Sequence, residues 1–170
     1  MAGWLSSLTK RPRSSPAKRV NADMCQIIFV GTNCPDDLAQ FNDEGLPFCM
    51  QREASPSEHF EFGPKLSHVW SASRWGGCSC HFRTYHWENE PFEFGPPEDW
   101  MHDEPDDLAA TRHLYRCLTS LLNDGWRVEL FCTEEDNALP LRKLRVNLTA
   151  VSEVDFLMNE GDHLVLCLHD

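Results

Sequence analysis

What the chain lacks narrows its function first. No apolar run approaches the length of about 18 residues that a membrane-crossing helix needs. The longest, Ile27-Ile28-Phe29-Val30, suits a buried strand instead. There is no glycine-rich phosphate loop and no Gly-x-Ser-x-Gly elbow, so nucleotide binding and serine hydrolysis have no motif to rest on. No segment reads as a secretory leader, because Leu5 to Leu8 is too short for its apolar core. Asn147-Leu148-Thr149 is therefore not expected to carry a glycan. Basic residues are scarce as well, 15 Lys and Arg against 27 Asp and Glu.

That scarcity is uneven. Residues 1–23 hold five of the bases (Lys10, Arg11, Arg13, Lys18, Arg19) and a single acid, Asp23, which leaves 10 bases against 26 acids over 24–170, a net charge of −16. A body so acidic repels phosphate backbones, so nucleic acid is not an expected partner. The Ser/Pro/Lys/Arg arm has little apolar surface to offset the entropy of ordering and is expected to be disordered. Its Arg/Ser-rich, acid-poor composition is also that of a mitochondrial transit peptide.

What the chain does have is 170 residues, 41% of them hydrophobic, enough for one domain with a real core. Order is expected from Met24. Cys25 to Gly31 reads as a buried strand, stopped by Gly31-Thr32-Asn33 and Pro35. Residues 33–58 read as a long irregular excursion. Phe60-Glu61-Phe62-Gly63-Pro64 recurs as Phe92-Glu93-Phe94-Gly95-Pro96, two edge segments clamping one core. Between them, Ser67–Ala72 and Cys78–Tyr85 flank a Gly-bearing loop and read as a β-hairpin that sets His68, Trp70, Cys78, Cys80 and Phe82 on one face, with Ser79 and Arg83 on the other. A helix is expected over about 105–123, with Asp103 as its cap, Pro105 in its first turn and Gly125 behind its stop. Strands follow at Trp126–Cys132, Leu144–Leu148 and His163–Leu168, and Ser152 with Asp155 resembles a capped turn. The sum is an α+β fold: a single two-layer domain over 24–170, with a mostly antiparallel sheet of five or six strands and one main helix.

Chemistry concentrates at Gly76-Gly77-Cys78-Ser79-Cys80-His81-Phe82. Cysteines one residue apart on an extended segment point to the same side. Such a pair can pack in the core, bind a metal or do thiol chemistry. A zinc site needs further ligands, and Cys25, Cys34, Cys49 or His68 would have to supply them, His68 being the first choice from the hairpin. A Cys78–Cys80 bridge would be strained, since such neighbours lie at or beyond the usual Cα separation of about 6.8 Å. Cys25, were processing to expose it after Met24, has the makings of an N-terminal nucleophile. His59, His86, His102 and His113 read as solvated, the last also as core edge beside Cys117.

Taken in order, Met24-Cys25, His68-Val69-Trp70 and Gly77-Cys78-Ser79-Cys80-His81-Phe82 resemble a group of short bacterial proteins. Those open with Met-Cys before a Val/Ile-rich strand and carry a Gly-Cys-Gly-Cys-Gly-Phe turn. The likeness covers 24–170 loosely and departs at Trp70, Ser79, His81 and the arm, which implies Met24 as the start. The group has no established activity, so the resemblance implies a layout and no mechanism.

The expected function is a cytosolic binding or accessory protein with a small structural Cys/His metal site. Zinc is the candidate cofactor and Cys78, Cys80 and His68 the candidate ligands. The competing class is a thiol-dependent enzyme or redox protein using Cys25, Cys78 or Cys80. Arg74 and Trp75, at the expected hairpin tip, are candidate contacts for a protein partner or small ligand.

Overall fold

The computed structural model describes residues 25–53, 65–73, 78–80, 82–85, 94–96, 103–134, 140 and 142–169. The arm over 1–23, the first Phe-Glu-Phe-Gly-Pro copy, and Arg74 and Trp75 lie outside the described residues. In chain order the elements are strand β1 (Gln26–Thr32), a 3₁₀ turn (Leu38–Phe41), β2 (Cys49–Arg52), β3 (His68–Ser73), β4 (Thr84–Tyr85), helix α1 (Pro105–Asn123), β5 (Val128–Glu134), β6 (Arg142–Asn147), a second 3₁₀ turn (Leu148–Ala150), β7 (Met158–Asn159) and β8 (Asp162–Cys167). Six strands form one open sheet in the order β2-β3-β1-β5-β8-β6, and β4 pairs with β7 apart from it. Neighbours in the large sheet run antiparallel except β6 and β8, which are parallel, so the sheet is mixed. One helix on one such sheet is an α+β domain, as expected. Among the described residues no helix is long and apolar enough to cross a membrane.

Register explains the core. Directly paired residues share a face, and the pairs Met50–Ala72, Ile28–Ala72, Val30–Trp70, Ile28–Cys132, Val30–Leu130, Leu130–Leu164 and Val128–Leu166 align one apolar row across the sheet. Leu114, Cys117, Leu118 and Leu121 of α1 join this row in a single buried cluster. Their spacing puts them on one helix face. Leu114 and Leu118 are fully buried, each contributing roughly 1.5–3 kcal/mol. The helix begins at Pro105, carries Asp106 and Asp107 in its first turn, and ends before Gly125, whose φ of 84° is the left-handed conformation that glycine tolerates best. Glu104, not Asp103, occupies the cap position, and its side chain makes no cap hydrogen bond. Asp103 is engaged elsewhere, with Arg83 Nε 3.0 Å from its Oδ2.

Several expectations are corrected. Ser67–Ala72 and Cys78–Tyr85 do not form a hairpin, because both edges of β3 are taken, one by β1 and one by β2. Among the described residues of 78–85 the one strand is β4, which pairs with Met158 and Asn159 of β7. The described part of the expected excursion, residues 33–53, is less irregular than expected, since it supplies β2 at the sheet edge. β5 is buried on both faces: Phe131 and Thr133 are as covered as Val128 and Leu130. His113 is not solvated, its Nε2 lying 2.7 Å from the Phe41 carbonyl and its ring 4.6 Å from that of Phe48. Within the second Phe-Glu-Phe-Gly-Pro copy, Phe94 stacks on Phe156 at 5.9 Å and the Gly95 N–H donates to the Asp155 carbonyl.

Candidate metal centre

The Cys78-Ser79-Cys80 segment lies against the first residues of β1. The Ser79 N–H donates to the Gln26 carbonyl at 2.9 Å, and the Gln26 N–H donates to Cys80 Sγ at 3.3 Å. The Gln26 side chain bonds to Thr84 Oγ1, so one residue grips the segment and its continuation. Between these contacts the Ser79 hydroxyl enters the sheet. It accepts from the Ile28 N–H at 2.9 Å and donates to the Ala72 carbonyl at 2.5 Å, spanning β1 and β3 where the two are paired. Ser79 is 0% exposed. Side chains alternate along an extended segment, so a buried Ser79 leaves Cys78 and Cys80 on the opposite side, as the sequence spacing predicts.

There they meet Cys25, the residue just before β1. The three Sγ atoms all lie within 4.8 Å of one another. Thiolates about 2.3 Å from a tetrahedral zinc ion sit about 3.8 Å apart, so small side-chain rotations close the set around an ion. Cys25 and Cys80 are exposed and Cys78 is half-buried. Two sulfurs already accept backbone N–H bonds, Cys80 from Gln26 and Cys78 from Cys80 at 3.2 Å. Burial first, then the hydrogen bond with Cys80 and the charges of Cys80 and Cys25, push the Cys78 thiol up to about 12. A metal ion bound by thiolates would offset their like charges.

Downstream, the backbone is anchored by a buried arginine. Arg83, expected on the hairpin face opposite the cysteines, is 1% exposed. Its guanidinium donates to Asp103 and to the carbonyls of Val154, Phe156 and Gly95, while its own N–H donates to Thr111 Oγ1. Phe82 is buried beside Phe48, ring centroids 6.1 Å apart. The cysteine segment is thus pinned on one side by Ser79 and on the other by Phe82 and Arg83.

Of the candidate ligands from sequence, Cys78 and Cys80 come together and His68 does not join them. His68 pairs with Thr32 at the far end of β1 from Cys25, about 23 Å away at about 3.3 Å per strand residue. Its Nδ1 lies 2.8 Å from Arg52 Nη2. The expected hairpin was the reason for choosing it, and that hairpin is absent. Cys25, singled out from sequence as a thiol candidate, takes its place in the cluster. Cys34 lies beyond the other end of β1 and Cys49 opens β2, so neither joins. His81, next to Cys80 in sequence, is outside the described residues.

A second polar cluster, not foreseen from sequence, lies on the sheet face opposite α1. His163 Nε2 sits 2.5 Å from Glu129 Oε2, with Lys143 Nζ 3.3 Å from the same oxygen. One residue before His163, and so on the other face of β8, Asp162 is 1% exposed and forms a two-pronged ion pair with Arg142. Burial lowers the His163 pKa below its ordinary value, and the Glu129 hydrogen bond opposes that only in part. The alternation of Trp126, Val128, Leu130 and Cys132 with Arg127, Glu129 and Phe131 reads as a strand with one buried face and sets Glu129 on the other. Its pairing with His163 and Lys143 came from long-range register alone.

Comparison with protein-family models, curated proteins and solved structures finds no match to this chain.

Proposed function

We propose that Cys25, Cys78 and Cys80 bind a zinc ion and that the protein is a cytosolic binding or accessory protein built around that site. The observation that carries this reading is the mutual approach of three sulfurs from two distant segments to within 4.8 Å. Soft thiolates favour zinc, monovalent copper or iron–sulfur chemistry over hard cations. Zinc needs four ligands, and a water molecule would complete the three sulfurs. Such an ion would tie the start of β1 to Cys78-Ser79-Cys80, the segment that follows the candidate partner contacts Arg74 and Trp75 in sequence. Eight free cysteines suit a reducing compartment.

The exposure of Cys25 and Cys80 favours a second reading, a thiol-dependent enzyme or redox protein. One experiment separates the two. Elemental analysis of protein purified without chelator is combined with thiol titration before and after denaturation. Stoichiometric zinc with three protected thiols supports the metal site. Metal-free protein with one fast-alkylating cysteine supports the second reading. Metal-free protein with no unusually reactive thiol contradicts both.

A further inference from the structure

The three sulfurs of the cluster differ in access, and the difference points to how the site is emptied. Cys25 and Cys80 are exposed while Cys78 is half-buried, so an oxidant in solution meets two of the three. Those two belong to segments already held together, by the Ser79 N–H on the Gln26 carbonyl and the Gln26 N–H on Cys80 Sγ. Their sulfurs lie no more than 4.8 Å apart. A disulfide needs about 2.05 Å, a gap that rotation of two exposed side chains can close. The alternative pair, Cys78 with Cys80, is one residue apart on a segment whose middle residue is locked into the sheet, and its closure would demand a backbone change.

We propose that hydrogen peroxide joins Cys25 to Cys80 as a disulfide and so expels the bound ion, making the cluster a peroxide-sensitive release site. This rests on the metal reading above. The Cys80 thiolate attacks one peroxide oxygen; the O–O bond breaks, an S–O bond forms, and the departing hydroxide takes a proton to become water. The Cys25 thiolate then attacks the Cys80 sulfur; the S–S bond forms, the S–O bond breaks, and a second hydroxide leaves and is protonated to water. Each sulfur gives up one electron and the peroxide takes both. The ion, unchanged in oxidation state, keeps only Cys78 among its three thiolates and dissociates. A thiol such as glutathione reverses the change by exchange.

The test uses the full chain, reduced, loaded with zinc and treated with hydrogen peroxide. Zinc release is followed with a chromogenic chelator, and the oxidised cysteines are located by peptide mapping without reduction. The expected result is release in step with a Cys25–Cys80 bridge and recovery of zinc binding after glutathione. In the metal-free chain, Cys78→Ser still forms that bridge, whereas Cys25→Ser stops at a sulfenic acid on Cys80 that dimedone traps. Zinc that stays bound after peroxide, or leaves without a Cys25–Cys80 bridge, overturns the release mechanism while leaving the metal site standing. Reduced protein that takes up no zinc at all overturns both, and does so before peroxide is added.

Discussion

The Ser79 hydroxyl stands between the Ile28 N–H and the Ala72 carbonyl, accepting from one at 2.9 Å and donating to the other at 2.5 Å. A side chain from a distant segment thereby completes the β1–β3 ladder. It also fixes which way its two cysteine neighbours face, so stability and site geometry share one oxygen atom.

Replacing it should damage both. Ser79→Ala leaves a buried donor and a buried acceptor without this partner, an expected cost of about 1–3 kcal/mol. Urea unfolding measures the loss, and metal titration of the folded variant should show weaker binding although all three cysteines remain. A variant as stable as the parent would mean the two backbone groups find each other directly.

Arg83 holds the other side of the cysteine segment. Its ion pair with Asp103, which is 13% exposed, and its bonds to three carbonyls are buried together. Arg83→Met removes a buried ion pair together with three carbonyl bonds and should cost about 3–5 kcal/mol. Arg83→Lys keeps the charge but cannot reproduce the fork, so it should recover only part of that loss. Denaturation midpoints of the two variants decide it; equal, small losses would contradict the clamp.

The pH dependence follows from His163. Burial lowers its pKa, so the unfolded chain binds that proton more tightly than the folded one. The stability contribution is therefore complete above the unfolded pKa of about 6.5 and is lost as pH falls below it toward the lowered folded value. Glu129 and Lys143 are the charged groups that face the same ring. Melting temperatures of the parent should drop more steeply below about pH 6.5 than those of His163→Gln. Parallel curves would show that this histidine does not carry the slope.

How far the sequence spoke depended on the range of the interaction. Helix α1 was legible to its ends, because Pro105, the leucine spacing and Gly125 act locally. The strands at β1, β5, β6 and β8 were legible from period two and apolar runs. The shared side of Cys78 and Cys80 was legible too, from alternation alone. The partner of β3 was not. A nearby segment was the natural guess, but β1 and β2 both pair with it through contacts that no local pattern encodes. That one error placed His68 beside Cys78 and Cys80, where the structure places Cys25. The burial of Arg83 was hidden for the same reason, since its acceptors lie up to 73 residues away.

Metal removal should cost stability. At free zinc about 1,000 times the dissociation constant, binding to the folded state alone adds about 4 kcal/mol. For a chain of this size that is roughly 8–16 °C in Tm. A chelator should therefore lower the Tm of zinc-loaded protein by about that amount and leave Cys78→Ser unmoved.

The most direct test of the metal site is a cobalt(II) titration of the reduced full chain under anaerobic conditions, read by absorbance. Cobalt substitutes for zinc and reports thiolate ligation through an intense near-ultraviolet charge-transfer band, with visible bands diagnostic of tetrahedral geometry. Saturation at one cobalt per chain is predicted, with the charge-transfer band weakened in each of Cys25→Ser, Cys78→Ser and Cys80→Ser and unchanged in Cys49→Ser. No thiolate band at stoichiometric cobalt, or a band that persists in all three cluster variants, would contradict the account.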